Sequence, residues 1–358
     1  MYNQARHTDA LYYAAPFCKG IGALCVKLEP PKTPLLRDYR TGLKWILASS
    51  HTGKTEMEES ATLDCVIIGA GPAGLAAGIN LQRFLRDIRI IDAGASRATL
   101  IPRTFNYPGF GEGISGNALL EQLRAQLQAN GGWVMPGRVA RIERTEDDLF
   151  NVVTESEILR SRTVLLATGV VDVDPEIEGF QAVKQEGLIH YCPICDGFEF
   201  TNERIGVIAR EEHGVDEAIF IKRFSADLTL IDIEDGAYLN KVSMERLAHS
   251  DIALVQGKVS AMYTDESKRI HLRMDDGTEH SFAAIYCALG TEVRSELGTN
   301  MGALRNPQGY LVVNPHMQTG IEGLYAAGDI TNHLSQITVA TGQASIAATA
   351  IHNRLQGR

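Results

Sequence analysis

The sequence predicts an α/β protein with two units of parallel sheet, because a strand–helix–strand pattern occurs twice along the chain. In the first unit, Cys65–Ile68 has the pattern of a buried strand, Pro72–Arg86 that of a helix and Ile88–Ile91 that of a second strand. The second unit occupies Arg204–Ile233. Parallel strands joined by a helix are the repeating unit of open α/β sheets, so the chain is predicted to contain two such sheets.

Further helices and strands are predicted around these two units from the spacing of the apolar residues. Asn117–Asn130 has apolar residues at helical spacing, and a helix rich in small residues is predicted from Thr338 onward. Short apolar runs predict strands at Val152–Val153, Thr163–Ala167, Ile270–Met274, Ala284–Ala288 and Tyr310–Val313.

The composition excludes several classes of protein. Hydrophobic residues make up 44% and charged residues 22% of the 358 residues, which is ordinary for a globular chain. The net charge of -10 and the lack of a basic helix argue against a nucleic-acid partner. No run of about 18 apolar residues is present, so no membrane span is predicted. Six scattered cysteines do not suit a secreted disulfide scaffold, and we expect a cytoplasmic protein.

The first 60 residues differ from the rest of the chain in charge. Residues 1–55 contain eight Lys and Arg against three Asp and Glu, whereas the whole chain is acidic. We expect residues 1–60 to be an N-terminal extension that is either disordered or not translated, with Met57 as the alternative start. All motifs lie after Leu63, so this extension is predicted to be dispensable for them.

A glycine motif follows the first predicted strand and opens the first helix. Gly69, Gly71 and Gly74 form the pattern G-x-G-x-x-G. In this context the first glycine permits a tight turn, the second lets a pyrophosphate approach the backbone, and the third lets the helix pack on the strand. The phosphates then lie on the free N–H groups of the helix. Asp92, at the end of the second strand, is placed to bind an adenosine ribose.

Two cysteines at i and i+3 indicate thiol chemistry. Cys192 and Cys195 enclose Pro193, which suits the first position of a helix. Free N–H groups at a helix start stabilise a thiolate, here that of Cys195. A structural zinc ion needs four ligands, and the sequence has no second C-x-x-C or nearby pair of histidines, so no metal is predicted.

The order of the motifs resembles the pyridine nucleotide-disulfide oxidoreductases, in particular their thioredoxin-reductase-like branch. The matching segments run in family order over residues 63–358 and are jointly specific. They are Gly69–Gly74, Asn106–Phe110, Ile114–Gly116, Ala167–Gly169, Cys192–Gly197 and Ala326–Asp329.

The resemblance implies FAD as the cofactor. It assigns the first glycine motif to FAD, the segment Gly328–Asp329 to the ribityl and phosphate groups, and Gln336 to the flavin side. The expected cofactor-binding residues are Gly69, Gly71, Pro72, Ala73, Gly74, Asp92, Asn106, Ala167, Gly169, Gly328, Asp329, Gln336 and Ile337.

The resemblance also assigns roles to the dithiol and its neighbour. It implies that Cys195 faces the flavin and that Cys192 attacks the disulfide of the partner. Asp196 matches the acid/base, which protonates the departing thiolate and deprotonates the attacking thiol. The expected partner is a thioredoxin-like protein or a small disulfide or dithiol.

The second unit departs from the family where relatives bind NADPH. Ala209, Arg210 and Glu211 stand in the place of glycines and are followed by Glu212. After the next strand, where relatives carry basic residues for the 2'-phosphate, this chain has Asp232, Ile233, Glu234 and Asp235. Like charges repel, so the sequence argues against NADPH as the physiological donor. The alternatives for the electron donor are ferredoxin, another electron carrier and NAD(P)H.

The resemblance further implies two Rossmann-like domains, the second inserted into the first, and a homodimer. The expected segments are an extension at 1–60, FAD-binding parts at 61–171 and 283–358, and the inserted NAD(P)-binding-like domain with the C-x-x-C at 172–282.

Three functions fit these residues. The first is a flavin-dependent reductase of thioredoxin-like disulfides. The second is a dithiol oxidase that passes electrons through FAD to oxygen. The third is a flavin redox sensor without enzymatic activity.

Overall fold

The computed structural model describes residues 62–210, 212–233, 239–331 and 334–357. They lie in one compact unit that spans Glu58–Arg358. The predictions made for residues 1–60 and for Glu211, Glu234 and Asp235 fall outside the described residues.

The described residues form 17 β-strands and 8 α-helices. The strands are β1 (Leu63–Ile68), β2 (Ile88–Asp92), β3 (Val134–Pro136), β4 (Val139–Arg144), β5 (Phe150–Thr154), β6 (Ile158–Leu166), β7 (Val170–Asp172), β8 (Ile189–His190), β9 (Ile205–Ala209), β10 (Leu228–Asp232), β11 (Ala253–Gln256), β12 (Val259–Thr264), β13 (Ile270–Met274), β14 (Glu279–Phe282), β15 (Ala284–Ala288), β16 (Thr291–Val293) and β17 (Leu324–Ala326). The helices are α1 (Pro72–Arg83), α2 (Gly116–Ala129), α3 (Phe180–Gln185), α4 (Pro193–Asp196), α5 (Glu212–Ile221), α6 (Lys241–His249), α7 (Glu296–Asn300) and α8 (Ile337–Leu355).

The first sheet has seven strands in the order β3–β2–β1–β6–β5–β4, with β17 beside β6. β1 is parallel to β2 and to β6, as the strand–helix–strand pattern predicted. The long strand β6 pairs with β5 through its first residues and with β17 through its last. Apolar side chains are buried on both faces of the sheet, which is typical of parallel strands. On one face, α1 and α8 contribute alanines such as Ala73, Ala77 and Ala344 to the core.

The second sheet has five parallel strands in the order β11–β10–β9–β15–β8. Apolar residues of α5 and α6, among them Val215, Ala218 and Leu247, are buried with the strand residues on one face. Residues of the antiparallel sheet β12–β13–β14 contribute to the core on the other face. The prediction of two sheets built on parallel strands is confirmed, although β5 and β4 extend the first sheet with antiparallel pairing.

Strand β15 corrects one predicted domain boundary. The sequence assigned residues from 283 onward to the returning part of the first domain, but β15 pairs with β9 and β8 in the second sheet. A run of five buried apolar residues suits either parallel sheet, so its composition does not identify its neighbours. After β15 the chain forms β16, which pairs with β7 in a separate two-stranded sheet, and it rejoins the first sheet at β17.

Two further predictions differ in detail. The first helix ends at Arg83 and not at Arg86, because Leu85 adopts a φ of 58°, which is outside the helical range. The strand predicted at Tyr310–Val313 is wrong, since Leu311 makes one isolated bridge with Arg305 and its N–H donates to the carbonyl of Ile330.

Candidate active site

The glycine turn between β1 and α1 is required by close backbone packing. Gly69 has a φ of +106°, and a Cβ atom on it would lie 2.3 Å from the carbonyl oxygen of Ala167. A Cβ on Gly74 would lie 1.9 Å from the carbonyl oxygen of Gly69. Gly71 is the N-cap of α1 and makes no side-chain cap, so the first N–H groups of this helix stay available beside Pro72. This geometry matches a phosphate-binding helix start.

Asp92 lies at the carboxyl end of β2, next to this turn. Its carboxylate accepts hydrogen bonds from the backbone N–H of Ala70 (3.0 Å) and of Gly94 (3.2 Å). A carboxylate has about four acceptor positions, so Asp92 keeps capacity for a ribose hydroxyl.

One cavity of about 560 Å³ joins the glycine turn to the two cysteines. Its volume lies in the range of roughly 300–1,000 Å³ that is usual for ligand and cofactor sites. Gly74 and Asn106 are the two expected site residues that do not line it. The expected residues that do line it are Gly69, Gly71, Pro72, Ala73, Asp92, Ala167, Gly169, Cys192, Cys195, Asp196, Gly328, Asp329, Gln336 and Ile337.

Gly328 and Asp329 follow β17 and lie against α1 and Arg97. Gly328 has a φ of +87° and a Cβ on it would lie 2.9 Å from the Cβ of Ala73. Asp329 is close to Arg97, with 3.5 Å between carboxylate oxygen and guanidinium nitrogen. Burial raises the pKa of Asp329, and Arg97 opposes this shift. Arg97 also donates twice to Asp172, at 2.8 and 2.6 Å.

Cys192 and Cys195 form a disulfide at the start of the single turn α4. The side-chain amide of Gln336 donates to both sulfurs, at 3.3 Å and 3.2 Å. Asn106 donates to the amide oxygen of Gln336 (2.9 Å) and to the carbonyl of Ile194 (3.1 Å). Asn106 thus holds Gln336 and the disulfide loop together, and its role in cofactor binding stays a prediction.

Asp196 is held by two aromatic side chains. Nδ1 of His190 lies 2.6 Å from one carboxylate oxygen, and the hydroxyl of Tyr286 donates to the other at 2.7 Å. Burial, followed by the charge of Asp196, raises the pKa of Tyr286 above its usual value. Tyr286 therefore stays protonated and donates. The sequence did not indicate Tyr286, which lies 90 positions further along the chain.

The remaining described cysteines are buried thiols. Cys65 lies in β1 and Cys287 in β15. Burial raises the pKa of Cys65 to about 12 and that of Cys287 well above its usual value. Reactive cysteines are exposed and have a low pKa, so these two thiols are inert. Among the described residues, no group of three His, Cys, Asp or Glu side chains is arranged to hold a metal ion.

The corresponding turn of the second sheet carries acidic side chains. A Cβ on Gly214 would lie 2.3 Å from the Cβ of Ala209, so this glycine serves helix–strand packing. Glu212 begins α5 and accepts a hydrogen bond from Ser243 (3.3 Å). Asp232 ends β10 and has no exposed surface. A carboxylate in the first turn is unfavourable for a pyrophosphate, and a strand-end acid is unfavourable for the 2'-phosphate of NADPH.

Comparison with known proteins identifies the family. The sequence profile described as pyridine nucleotide-disulphide oxidoreductase matches residues 63–344, so the chain belongs to this family. The thioredoxin reductase of Streptomyces clavuligerus is 29% identical over 75% of this chain and 86% of its own length. That of Mycolicibacterium smegmatis is 29% identical over 82% and 96%.

Solved structures agree with this assignment. The thioredoxin reductase from Streptococcus pyogenes MGAS5005 superposes with a TM-score of 0.76 at 26% identity, covering 83% of this chain and 99% of that one. A protein called HlmI gives a TM-score of 0.76 at 26% identity, covering 83% and 93%. Together with the Cys192–Cys195 disulfide, these relatives make the chain a flavin-dependent thiol–disulfide oxidoreductase that resembles thioredoxin reductase.

In the described part of the chain, no helix is both long and apolar enough to cross a bilayer.

Proposed function

We propose that the protein binds FAD and moves an electron pair between the flavin, the Cys192–Cys195 pair and the disulfide of a thioredoxin-like protein. The observation that carries this proposal is a cavity lined both by the glycine turn and by the two cysteines. A cofactor with a nucleotide end and a redox-active end fits such a cavity.

The residues present fit FAD. The start of α1 would hold the pyrophosphate and Asp92 the adenosine ribose, while Gly328 and Asp329 would hold the ribityl and phosphate region. Gln336 would contact the flavin side and already touches both sulfurs. Bound FAD supplies the redox chemistry that accepts or delivers the electron pair.

The protein's own side chains perform the thiol exchange. In the reduced state Cys192 would give its proton to Asp196 and attack the partner disulfide, and Cys195 would then release the partner by attacking Cys192. The partner is reduced by two electrons while the disulfide of this chain re-forms.

Exposed apolar side chains beside the disulfide support a protein partner. Ile194 lies between the two cysteines and is 49% exposed, and Phe198 follows Asp196 and is 77% exposed. Large apolar side chains on a surface are typical of protein contact sites. The thioredoxin reductases among the relatives agree with a thioredoxin-like substrate.

We further propose that the donor is not NADPH, because Asp232 is buried and Glu212 lies at the start of α5. Ferredoxin or another carrier remains the alternative, as does NADH. The cytoplasm provides the reducing conditions that such an exchange needs, and we propose it as the location. The homodimer implied by the resemblance stays a prediction.

The test measures electron transfer from the reduced protein to thioredoxin without oxygen. Light-reduced protein is mixed with oxidised thioredoxin, and flavin absorbance and thioredoxin thiols are followed. We expect the flavin to be reoxidised as thiols appear, and Cys192→Ser to abolish this transfer. Cys195→Ser is expected to keep a Cys192 thiol that forms a mixed disulfide with thioredoxin.

A parallel arm tests the alternatives. Turnover of a small dithiol with oxygen, without transfer to thioredoxin, would identify a dithiol oxidase. Reaction with neither substrate would leave a redox sensor and reject both enzymatic functions.

A further inference from the structure

The carboxylate of Asp196 contacts side chains from two strands, and a third element packs on one of them. His190 comes from β8, Tyr286 from the neighbouring strand β15, and Phe200 from the 3-10 turn after α4. His190 is 7% exposed and Tyr286 is fully buried. The rings of His190 and Phe200 are in edge contact, with 4.7 Å between their centroids. This packing fixes the His190 ring relative to Asp196.

The two hydrogen bonds to Asp196 differ in whether a proton can be transferred along them. Tyr286 stays protonated and can only donate. A histidine ring nitrogen can either donate or accept, according to where its proton lies. At 2.6 Å, Nδ1 of His190 can therefore give a proton to the carboxylate or receive one from it.

The other ring nitrogen of His190 is buried and has no hydrogen-bond partner among the described residues. His190 lines the same cavity as the two cysteines. Among the described residues, the contact of Nδ1 with Asp196 is thus the hydrogen bond that holds this ring beside the cavity.

We propose that His190 is a positioning residue of the dithiol reaction: it orients Asp196 and shares with it the proton that Asp196 exchanges with the cysteines. This inference rests on the proposed function and deepens it. His190 acts through Asp196 and not on the sulfurs directly.

The proton balance of the exchange is as follows. The Cys192 thiol gives its proton to the Asp196–His190 pair, and its sulfur forms a bond to one sulfur of the partner disulfide. The partner S–S bond breaks, and the leaving thiolate takes the proton from the pair. Cys195 then displaces the second partner sulfur from Cys192, and its own proton passes to that sulfur. The dithiol loses two electrons, the partner gains two, and no proton is left over.

Acidic side chains from several elements lie around the Asp196–His190 pair. Asp196 faces His190 from α4, and the neighbouring Tyr286 also interacts with Glu199 and with Glu217 of α5. Burial raises the pKa of Glu217 to about 8, so this side chain is mostly neutral below that pH. Asp196 is the carboxylate in direct contact with His190.

The experiment measures thiol exchange without a protein partner. Full-length protein is reduced with dithiothreitol, desalted without oxygen and mixed with a chromogenic aromatic disulfide from about pH 5 to about pH 9, the range that contains histidine titration. The phase that disappears in Cys192→Ser reports the dithiol. His190→Asn keeps a side-chain N–H near Nδ1 but cannot exchange a proton, and His190→Ala removes both functions.

We expect both His190 variants to slow this phase about tenfold or more. Loss of an acid/base group costs roughly 10²–10⁴-fold, and loss of a residue that positions this group should cost a part of that. The rate–pH profile of His190→Asn is expected to lack a step that the unmodified protein shows. Tyr286→Phe removes the other hydrogen bond to Asp196 and should retain this step. His271→Asn is the matched control, because His271 makes a similar contact with Asp265 (2.9 Å) but does not line the cavity, so the change should not alter the rate.

Three outcomes decide the proposal. A slow His190→Asn variant with an altered pH profile and normal flavin content supports it. Full rescue by asparagine would overturn it, because a donor without an exchangeable proton would then be sufficient. Absence of any Cys192-dependent phase in the unmodified protein would instead overturn the proposed function, and this inference with it.

Discussion

Arg97 connects two carboxylates that belong to different parts of the chain. It binds Asp172, whose side chain is 3% exposed and which ends the strand that leaves the first sheet. It also lies 3.5 Å from Asp329 beside the cofactor segment. Its planar guanidinium can serve both carboxylates, which a lysine ammonium cannot do with the same geometry.

Replacing Arg97 by methionine is expected to destabilise the protein. The change leaves the buried carboxylate of Asp172 without its partner, and breaking a buried ion pair in this way costs about 3–5 kcal/mol. Urea unfolding followed by fluorescence measures the free energy. Arg141→Met is the control, because Arg141 and Glu143 form an exposed pair of the kind that contributes about 1 kcal/mol or less. Equal losses in both variants would contradict this account of Arg97.

Among individual residues, the sequence identified functional groups that lie close together along the chain. Cys192 and Cys195 were identifiable from their spacing, and Asp196 from the family resemblance. The pairing of Asp196 with Tyr286 spans 90 positions, and a tyrosine within an apolar strand has the pattern of an ordinary core residue. Arg97 was missed for the same reason, since Asp172 lies 75 positions away.

Among the secondary-structure elements, the turn from β1 to α1 has the strictest steric requirement. Gly74→Ala would place a Cβ 1.9 Å from the carbonyl oxygen of Gly69. Overpacking of this kind lowers the free energy of unfolding by about 1–3 kcal/mol. We expect a lower melting temperature and a lower flavin content after purification. Gly342→Ala serves as the control, because Gly342 lies on the exposed side of α8 with no atom near a Cβ and helical alanine is favoured. A Gly74→Ala protein with full flavin content would show that the turn tolerates a side chain.

The positions of the strands were predicted better than the pairing between them. The strands β1, β2, β9, β10, β13 and β15 follow from short apolar runs between turns, a pattern that is local. The sheet to which β15 belongs depends on hydrogen bonds to β9 and β8, which no local pattern encodes. The segment Tyr310–Val313 was wrongly predicted to be a strand. It has the apolar residues of a strand but forms only one isolated bridge.

For the whole molecule, both sheets contain a parallel strand–helix–strand unit, but the turns after the first strands of these units carry different residues. The first sheet opens onto the cavity, whereas the second ends in Glu212 and the buried Asp232. We predict that NADPH reduces the flavin poorly, because each unfavourable contact to a phosphate costs about 1–3 kcal/mol and two of them weaken binding roughly a hundredfold. Anaerobic stopped-flow mixing with NADPH and, separately, NADH measures this. Rapid bleaching that saturates at micromolar NADPH would contradict the prediction.

The proposed reaction requires a flavin and the Cys192–Cys195 pair to be two redox centres in one molecule. An anaerobic reductive titration with dithionite, which needs neither the natural donor nor the partner, measures this. We expect the protein to take up four electrons per FAD, two in the flavin and two in the disulfide, and the double variant Cys192→Ser/Cys195→Ser to take up two. Uptake of only two electrons by the unmodified, fully oxidised protein would contradict the presence of two centres.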